Sequence, residues 1–148
     1  MKDIYNYLYY NEKLSSSGMP TPDQLNSMAE AGVKVVINLA TSKSEGAFAN
    51  EGEIVNGLGM EYINIPVDWS NPTHKDLDDF LNAMDKHKDE SILVHCQANY
   101  RASGFVVLYR ILRLGWKRED AFQDMQKIWN PEEYPVWDMF IEENLPPE

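Results

Sequence analysis

One stretch of the sequence constrains the fold of this chain most. A short apolar run is followed by a tight loop and then by a long apolar segment. Residues Ser91 to His95 read Ser-Ile-Leu-Val-His, which is typical of a strand buried on both faces of a sheet. From about Arg101 to Leu114 the chain is apolar on most sides, as expected of a helix packed centrally on that sheet. Because a strand followed by a covering helix is half of a βαβ unit, this junction predicts an α/β fold.

The rest of the chain repeats this alternation. Thr21, Pro22 and Gln24 predict a capped helix start with proline at the first helical position, and Gly32 predicts the end of that helix. We therefore expect a mainly parallel central sheet with helices on both faces, in which ligands bind outside the carboxyl ends of the strands. The patterns predict further strands at residues 33–39 and 61–67 and further helices at residues 50–56, from Thr73 onward, and near residues 118–129 and 134–144.

Composition bounds the chain further. Its 148 residues are 43% hydrophobic, which predicts one domain over residues 1–148. The net charge of −11 argues against nucleic acid and anionic lipid as partners, because both require a basic surface. The sequence does not specify an oligomeric state. With a single cysteine, the chain has no internal disulfide.

We find no targeting signal in this sequence. No apolar run approaches the roughly 20 residues that span a bilayer, and the first residues lack an apolar stretch of the signal-peptide type. We expect a soluble, cytoplasmic protein, with the reservation that an export signal removed beforehand would leave no trace here.

The loop between the predicted strand and helix contains the reactive groups. Cys96 is followed by Gln97, Ala98, Asn99 and Tyr100, and then by Arg101. Backbone N–H groups of such a loop, at the amino terminus of a helix, can converge on an anion, and the same field favours the thiolate form of a cysteine. The planar guanidinium of Arg101 can hold two phosphate oxygens. Cysteine, loop and arginine can therefore bind a phosphoryl group and form a phosphocysteine; a buried structural thiol is the plain alternative.

Four residues in and beside this loop resemble those of a known protein family. His95 and Cys96, followed by Arg101 and Ser103, resemble the active-site loop of the protein tyrosine and dual-specificity phosphatases. Residues 15–125 are similar to a bacterial family of atypical phosphatase-like proteins, also found fused to metallo-β-lactamase-like hydrolases. The resemblance implies a phosphatase-like fold and a phosphomonoesterase that acts on phosphorylated protein or small aryl phosphates. It also implies that His95 orients the loop and favours the thiolate. We expect no cofactor and no metal.

The loop departs from that family in two ways. Standard phosphatases place five residues between cysteine and arginine, usually with a glycine in the middle, whereas four intervene here. Asn99 is the residue best able to replace glycine if a left-handed conformation is needed. The family also places Ser or Thr directly after the arginine, to hydrogen-bond the thiolate; here Ala102 stands there, and Ser103 follows as a supporting candidate.

Asp68 is the candidate general acid. Hydrolysis needs a group that protonates the leaving oxygen, and a carboxylic acid on a loop is the usual solution. Asp68 follows a predicted strand, and the resembled family carries its acid on the loop after that strand. The adjacent Trp69 either shields the site, touches an aromatic substrate or anchors the loop. The weaker candidates on the following predicted helix are Asp76, Asp78 and Asp79.

Two other functions fit the same loop. Rhodanese-type sulfurtransferases also have four residues between a cysteine and a basic residue, although they lack a general acid. A phosphate-binding or interaction module with a shortened loop would bind anions without turnover. His74 and His87 are interpreted as surface residues of one helix, without the spacing of metal ligands.

Overall fold

Five short strands and six helices alternate along the chain in a computed structural model that describes residues 3–147. The strands are β1 (Leu8–Asn11), β2 (Leu14–Ser17), β3 (Val35–Asn38), β4 (Glu61–Asn64) and β5 (Ile92–His95). The helices are α1 (Pro22–Glu30), α2 (Glu51–Gly57), α3 (His74–Lys86), α4 (Tyr100–Leu112), α5 (Arg118–Met125) and α6 (Pro135–Asn144), with a 3₁₀ turn (Pro131–Glu133) before α6.

The strands form one sheet in the order β1-β2-β5-β3-β4. β5 pairs in parallel with both β2 and β3, β3 pairs in parallel with β4, and β1 alone runs antiparallel at one edge. The predicted mainly parallel sheet is confirmed. Since β5 is the central strand, the residues that follow it lie in the middle of the carboxyl edge, where open α/β sheets bind ligands.

Alternate residues of the central strands supply two apolar cores, one on each face of the sheet. Val36 of β3 and Leu93 of β5 pack with Leu25 of α1 and Val55 of α2. The neighbouring positions of both strands face the other way, into a larger core formed with α3, α4, α5 and α6 that includes Phe105. Because each strand is buried on both sides, its sequence is continuously apolar, and the predicted two-sided helical cover is confirmed.

Helix starts follow their capping residues. The Thr21 hydroxyl accepts a hydrogen bond from the Gln24 backbone N–H (3.2 Å), and the Gln24 side chain accepts one from the Thr21 N–H (2.9 Å), which is the predicted capping box of α1. Thr73 and Asp76 form the same arrangement at the start of α3. Asp76, a weaker candidate for the acid, is therefore a capping residue.

Two features differ from the sequence-based expectations. β2, with the sequence Leu-Ser-Ser-Ser, was not predicted, yet its residues are buried beside β5. His87 was interpreted as a surface residue, but it is 5% exposed at the end of α3, between the carboxylates of Glu61 and Glu90. Within residues 3–147, no helix has the length and apolar character needed to cross a membrane.

Candidate active site

A cleft lies at the carboxyl edge of the sheet, directly after β5. It consists of two adjoining cavities of about 440 Å³ and 340 Å³, which share Trp69, Gln97 and Arg101 as lining residues. Cys96 lines the smaller cavity, and Asp68 lines the larger one. The fold therefore brings the three residues selected from the sequence to one cleft, although Asp68 and Cys96 line different parts of it.

The loop from Cys96 to Arg101 turns tightly before α4. Asn99 adopts the left-handed conformation (φ 68°), which confirms the expectation that asparagine takes the place of glycine in the shortened loop. α4 begins at the next residue, Tyr100. Within residues 3–147, the backbone N–H groups of Gln97, Ala98, Tyr100 and Arg101 find no hydrogen-bond acceptor. These donors and the helix dipole together favour a negatively charged group at this point.

The amino-terminal arm holds the loop in place. The Asn6 side-chain amide donates to the Ala98 carbonyl (3.0 Å), and the Asn99 amide donates back to the Asn6 carbonyl (2.8 Å). At Gly18 the backbone passes so close to the loop that a Cβ atom would lie 2.8 Å from the Gln97 carbonyl oxygen. Sequence reasoning missed both Asn6 and Gly18, because their contacts depend on residues about 80 to 90 positions away.

Arg101 extends along the wall of the cleft. Its side chain is buried, with 6% exposed, and lines both cavities. One terminal nitrogen donates to the Val67 carbonyl (2.8 Å), and the other contacts the Ser44 hydroxyl (3.4 Å). A guanidinium has five N–H bonds. The remaining three have no acceptor among residues 3–147.

A buried hydrogen-bonded pair supports the loop from behind. The Nε2 atom of His95 lies 2.6 Å from a carboxylate oxygen of Glu51, and the two side chains are 0% and 3% exposed. The other Glu51 oxygen accepts a hydrogen bond from Asn38 (3.3 Å), while Nδ1 of His95 lies 3.4 Å from the Cys96 carbonyl oxygen. Both ring nitrogens of His95 thus lie within hydrogen-bonding distance of an oxygen. Glu51 was not among the residues selected from the sequence.

Asp68 lies on the exposed loop after β4. One of its carboxylate oxygens accepts a hydrogen bond from the Ser70 N–H (2.9 Å), and its carbonyl accepts one from the Asn71 N–H (3.0 Å), so the residue begins a tight turn. The second carboxylate oxygen has no partner within residues 3–147. Asp78 and Asp79 lie on α3 and line neither cavity of the cleft.

Ser103 lies one turn into α4, behind the loop. Its hydroxyl donates to the Asn99 carbonyl (2.6 Å) and accepts a hydrogen bond from the indole N–H of Trp129 (2.9 Å). In the part of the chain that is described, it makes no hydrogen bond with Cys96. The contacts of Ser103 therefore fix the left-handed residue of the loop rather than the sulfur.

Aromatic side chains form one wall of the smaller cavity. Trp69, Tyr100 and Tyr134 line it together with Cys96. Trp69 stacks on Trp137 (centroids 5.3 Å apart), whose indole N–H donates to the Trp69 carbonyl (2.8 Å). Trp69 is thus both a loop anchor and part of the wall. Desolvation and the neighbouring Tyr134 raise the pKa of the Tyr100 hydroxyl, which stays uncharged at neutral pH.

Comparison with known proteins identifies the relatives of this chain. The model of a family described as a DSP-PTPase phosphatase fused to NAD+ kinase matches residues 10–133. Beta-lactamase hydrolase-like proteins from two strains of Xylella fastidiosa are 29% identical over 114 residues. That match covers 75% of this chain and 26% of each relative, so the chain spans about a quarter of the length of the curated relatives it matches.

Solved structures show the same architecture. A protein described as a DUF442 phosphatase from Shewanella putrefaciens CN-32 is 39% identical, with a TM-score of 0.87 over 97% of this chain and 90% of its own. TpbA of P. aeruginosa in complex with phosphotyrosine is 16% identical (TM-score 0.73; 92% and 82% covered). PTPMT1 in complex with PI(5)P is 20% identical (TM-score 0.74; 93% and 96% covered). The last two show a shared fold.

Proposed function

The chain belongs to the family of DSP-PTPase phosphatases, and on this basis we propose that it is a cysteine-dependent phosphomonoesterase acting on aryl phosphates. The observation that carries the proposal is the cleft itself. Cys96 and Arg101 line one cavity, beneath unpaired backbone N–H groups, and Asp68 lines the adjoining cavity. These are the three groups that a phosphoryl transfer to cysteine requires.

The first chemical step follows from these positions. The thiolate of Cys96 attacks phosphorus, a sulfur–phosphorus bond forms, and the bond from phosphorus to the leaving oxygen breaks. Asp68 donates its proton to the leaving oxygen. Arg101 and the loop N–H groups bind the other phosphoryl oxygens, over which the transition-state charge is spread. In the second step, the oxygen of a water molecule attacks the phosphorus of the phosphocysteine while Asp68 accepts a proton from that water. The sulfur–phosphorus bond breaks, which regenerates the Cys96 thiolate and releases inorganic phosphate.

The loop can perform this chemistry although it is one residue short. The left-handed Asn99 completes the turn in four residues, and the Asn6 and Ser103 contacts hold it there. The buried hydrogen bond between His95 and Glu51 holds the residue directly before Cys96 and so fixes the start of the loop.

The aromatic wall supports an aryl substrate. Trp69, Tyr100 and Tyr134 line the same cavity as Cys96, which suits an aromatic ring bound to the phosphate. TpbA was solved with phosphotyrosine and PTPMT1 with PI(5)P, so the fold accommodates both phenolic and inositol phosphates. The walls of the cavity in this chain favour the phenolic class.

The test is the hydrolysis of p-nitrophenyl phosphate and free phosphotyrosine by the purified chain. We expect turnover that Cys96→Ser abolishes and that vanadate inhibits. Hydrolysis at the same rate in Cys96→Ser would overturn the proposal. Tight phosphate binding without turnover would instead identify a phosphate-binding module, and thiosulfate-dependent sulfur transfer without hydrolysis would identify a sulfurtransferase.

A further inference from the structure

An apolar groove extends from the aromatic wall of the cleft across the start of α6. Beside the smaller cavity of the cleft lies a second cavity of about 230 Å³, and the two share Trp69 and Tyr134 as lining residues. A third cavity of about 300 Å³ adjoins the second, with Pro135 and Val136 shared between them. Because neighbouring cavities share lining residues, they lie side by side in a row that begins at the cavity lined by Cys96. We refer to the second and third cavities as the α6 groove.

The α6 groove exposes apolar side chains in an otherwise acidic protein. Val136 is 49% exposed and Met139 is 62% exposed, and both lie on the same face of α6, three residues apart. Pro72 lines the far end. An exposed apolar path of this kind is typical of a binding surface, and methionine adapts to partners of varied shape.

The charges beside the groove restrict what it binds. Glu133 lines the second cavity and Glu143 the third. Among the described residues that line these two cavities, none is lysine, arginine or histidine. An anionic lipid surface would be repelled by these carboxylates and by the net charge of −11, and so would a second copy of this chain. A polypeptide with apolar side chains and a basic residue is complementary to the groove.

We propose that the α6 groove binds the residues that flank a phosphotyrosine in a polypeptide substrate, apolar residues against Val136 and Met139 and a basic residue against Glu133 or Glu143. This inference rests on the proposed phosphatase function, since it places the phosphotyrosine in the cleft. A free aryl phosphate fills the cavity at Cys96 and leaves the groove empty. An extended chain advances about 3.3 Å per residue, so the residues nearest the phosphotyrosine enter the groove first.

The experiment compares kcat/KM for p-nitrophenyl phosphate with that for phosphotyrosine peptides. One pair of peptides carries leucine and lysine on either the amino-terminal or the carboxyl-terminal side of the phosphotyrosine, and a matched peptide carries serine and glutamate instead. We expect one leucine–lysine peptide to exceed the serine–glutamate peptide by roughly tenfold or more, the effect of about 1.4 kcal/mol. Equal kcat/KM for all the peptides would overturn the proposal.

Variants identify the surface responsible. Met139→Lys replaces an exposed apolar side chain of the groove with a positive charge that repels the lysine of the peptide. We expect it to lower the ratio of kcat/KM for the leucine–lysine peptide to that for p-nitrophenyl phosphate by roughly tenfold. Leu114→Lys, at a position 52% exposed and outside the groove, is the matched control and should leave the ratio unchanged. A ratio unaffected by Met139→Lys would contradict the inference.

Binding measurements separate this inference from the proposed function. Fluorescence anisotropy of the labelled leucine–lysine phosphopeptide with the Cys96→Ser chain reports binding whether or not hydrolysis occurs. Binding that Met139→Lys weakens, without turnover by the unmodified chain, would support the groove and refute the phosphatase. Hydrolysis of p-nitrophenyl phosphate without peptide discrimination would refute the groove and support the phosphatase. A dimer that Met139→Lys dissociates in sedimentation, with unchanged peptide kinetics, would show that the groove binds a second copy instead.

Discussion

His95 and Glu51 form a buried pair, with Nε2 of the imidazole 2.6 Å from a carboxylate oxygen, across 44 positions of the sequence. The pair connects the start of α2 with the end of β5, directly before Cys96. It therefore connects the rear of the loop to a helix that does not line the cleft.

Replacing Glu51 tests that connection. In Glu51→Gln the side chain keeps its size but loses the carboxylate that accepts the buried hydrogen bond with His95. We expect the free energy of unfolding to fall by about 1–3 kcal/mol. Glu53→Gln, on the exposed face of the same helix, is the control and should change the free energy of unfolding by less than about 0.5 kcal/mol. Equal stabilities of Glu51→Gln and the unmodified chain in urea denaturation would refute the role of the pair.

Asp68→Asn tests the general acid. Without a proton donor, turnover should fall roughly 10²-fold or more, and the basic limb of the pH profile of kcat should flatten. The loss should be larger for phosphotyrosine than for p-nitrophenyl phosphate, because nitrophenolate leaves without a proton. Asp78→Asn, at an exposed position of α3, serves as the control. Equal losses for the two substrates would assign the proton to another group.

Substitutions of Asn99 test the geometry of the short loop between Cys96 and Arg101. Alanine strains the left-handed conformation and loses the hydrogen bond to Asn6, so Asn99→Ala should lower the free energy of unfolding by about 2–3 kcal/mol. Asn99→Gly loses only the hydrogen bond and should cost about 1 kcal/mol. Asn56→Ala, on the exposed part of α2, should change stability by less than about 0.5 kcal/mol. Urea denaturation measures all three, and equal costs for alanine and glycine would contradict the account.

Because Arg110 and Asp124 form an ion pair, the stability of the fold should depend on pH. Burial alone would raise the pKa of the Asp124 carboxyl, but the Arg110 guanidinium (2.8 Å) and Lys127 outweigh it and hold that pKa below its usual value. A carboxyl with a lowered folded-state pKa stabilises the fold above its unfolded-state value of about 3.9, and that contribution disappears as the pH falls through the folded-state pKa.

Asp124→Asn should therefore lower the free energy of unfolding by about 1–3 kcal/mol at pH 7, since it leaves the buried Arg110 without its carboxylate. The difference from the unmodified chain should shrink as the pH falls below about 4. Asp120→Asn, on the exposed side of the same helix, is the matched control. Denaturation curves between pH 3 and pH 7 provide the comparison. A difference that stays constant over this range would show that the ion pair is not responsible.

The sequence predicted those parts of the fold that local patterns determine. The cap at Thr21, the buried strand before Cys96 and the apolar helix after Arg101 depend on neighbouring residues, and each was found where expected. β2 escaped prediction because three consecutive serines lack the apolar or β-branched side chains of a strand. They are buried because partners such as Tyr10, whose hydroxyl lies 2.7 Å from that of Ser16, satisfy their hydroxyls.

The residues of the candidate site also fall into those that the sequence predicts and those that only the structure shows. Cys96, Arg101 and Asp68 could be selected because their residue types and spacing carry chemical meaning. Glu51 could not, because an acidic residue in the first turn of a short helix usually faces solvent. Only the pairing of distant segments in the sheet shows that it is buried against His95.

The phosphocysteine intermediate is the most direct test of the whole account. The chain is mixed with p-nitrophenyl phosphate, and the reaction is quenched within the first turnover. The denatured protein is then digested, and the masses of its peptides are measured by mass spectrometry. If Cys96 is the nucleophile, the peptide that contains it gains one phosphoryl group, and the same peptide of Cys96→Ala gains none. Steady hydrolysis during which that peptide stays unmodified, or a phosphoryl group found only on another residue, would contradict it.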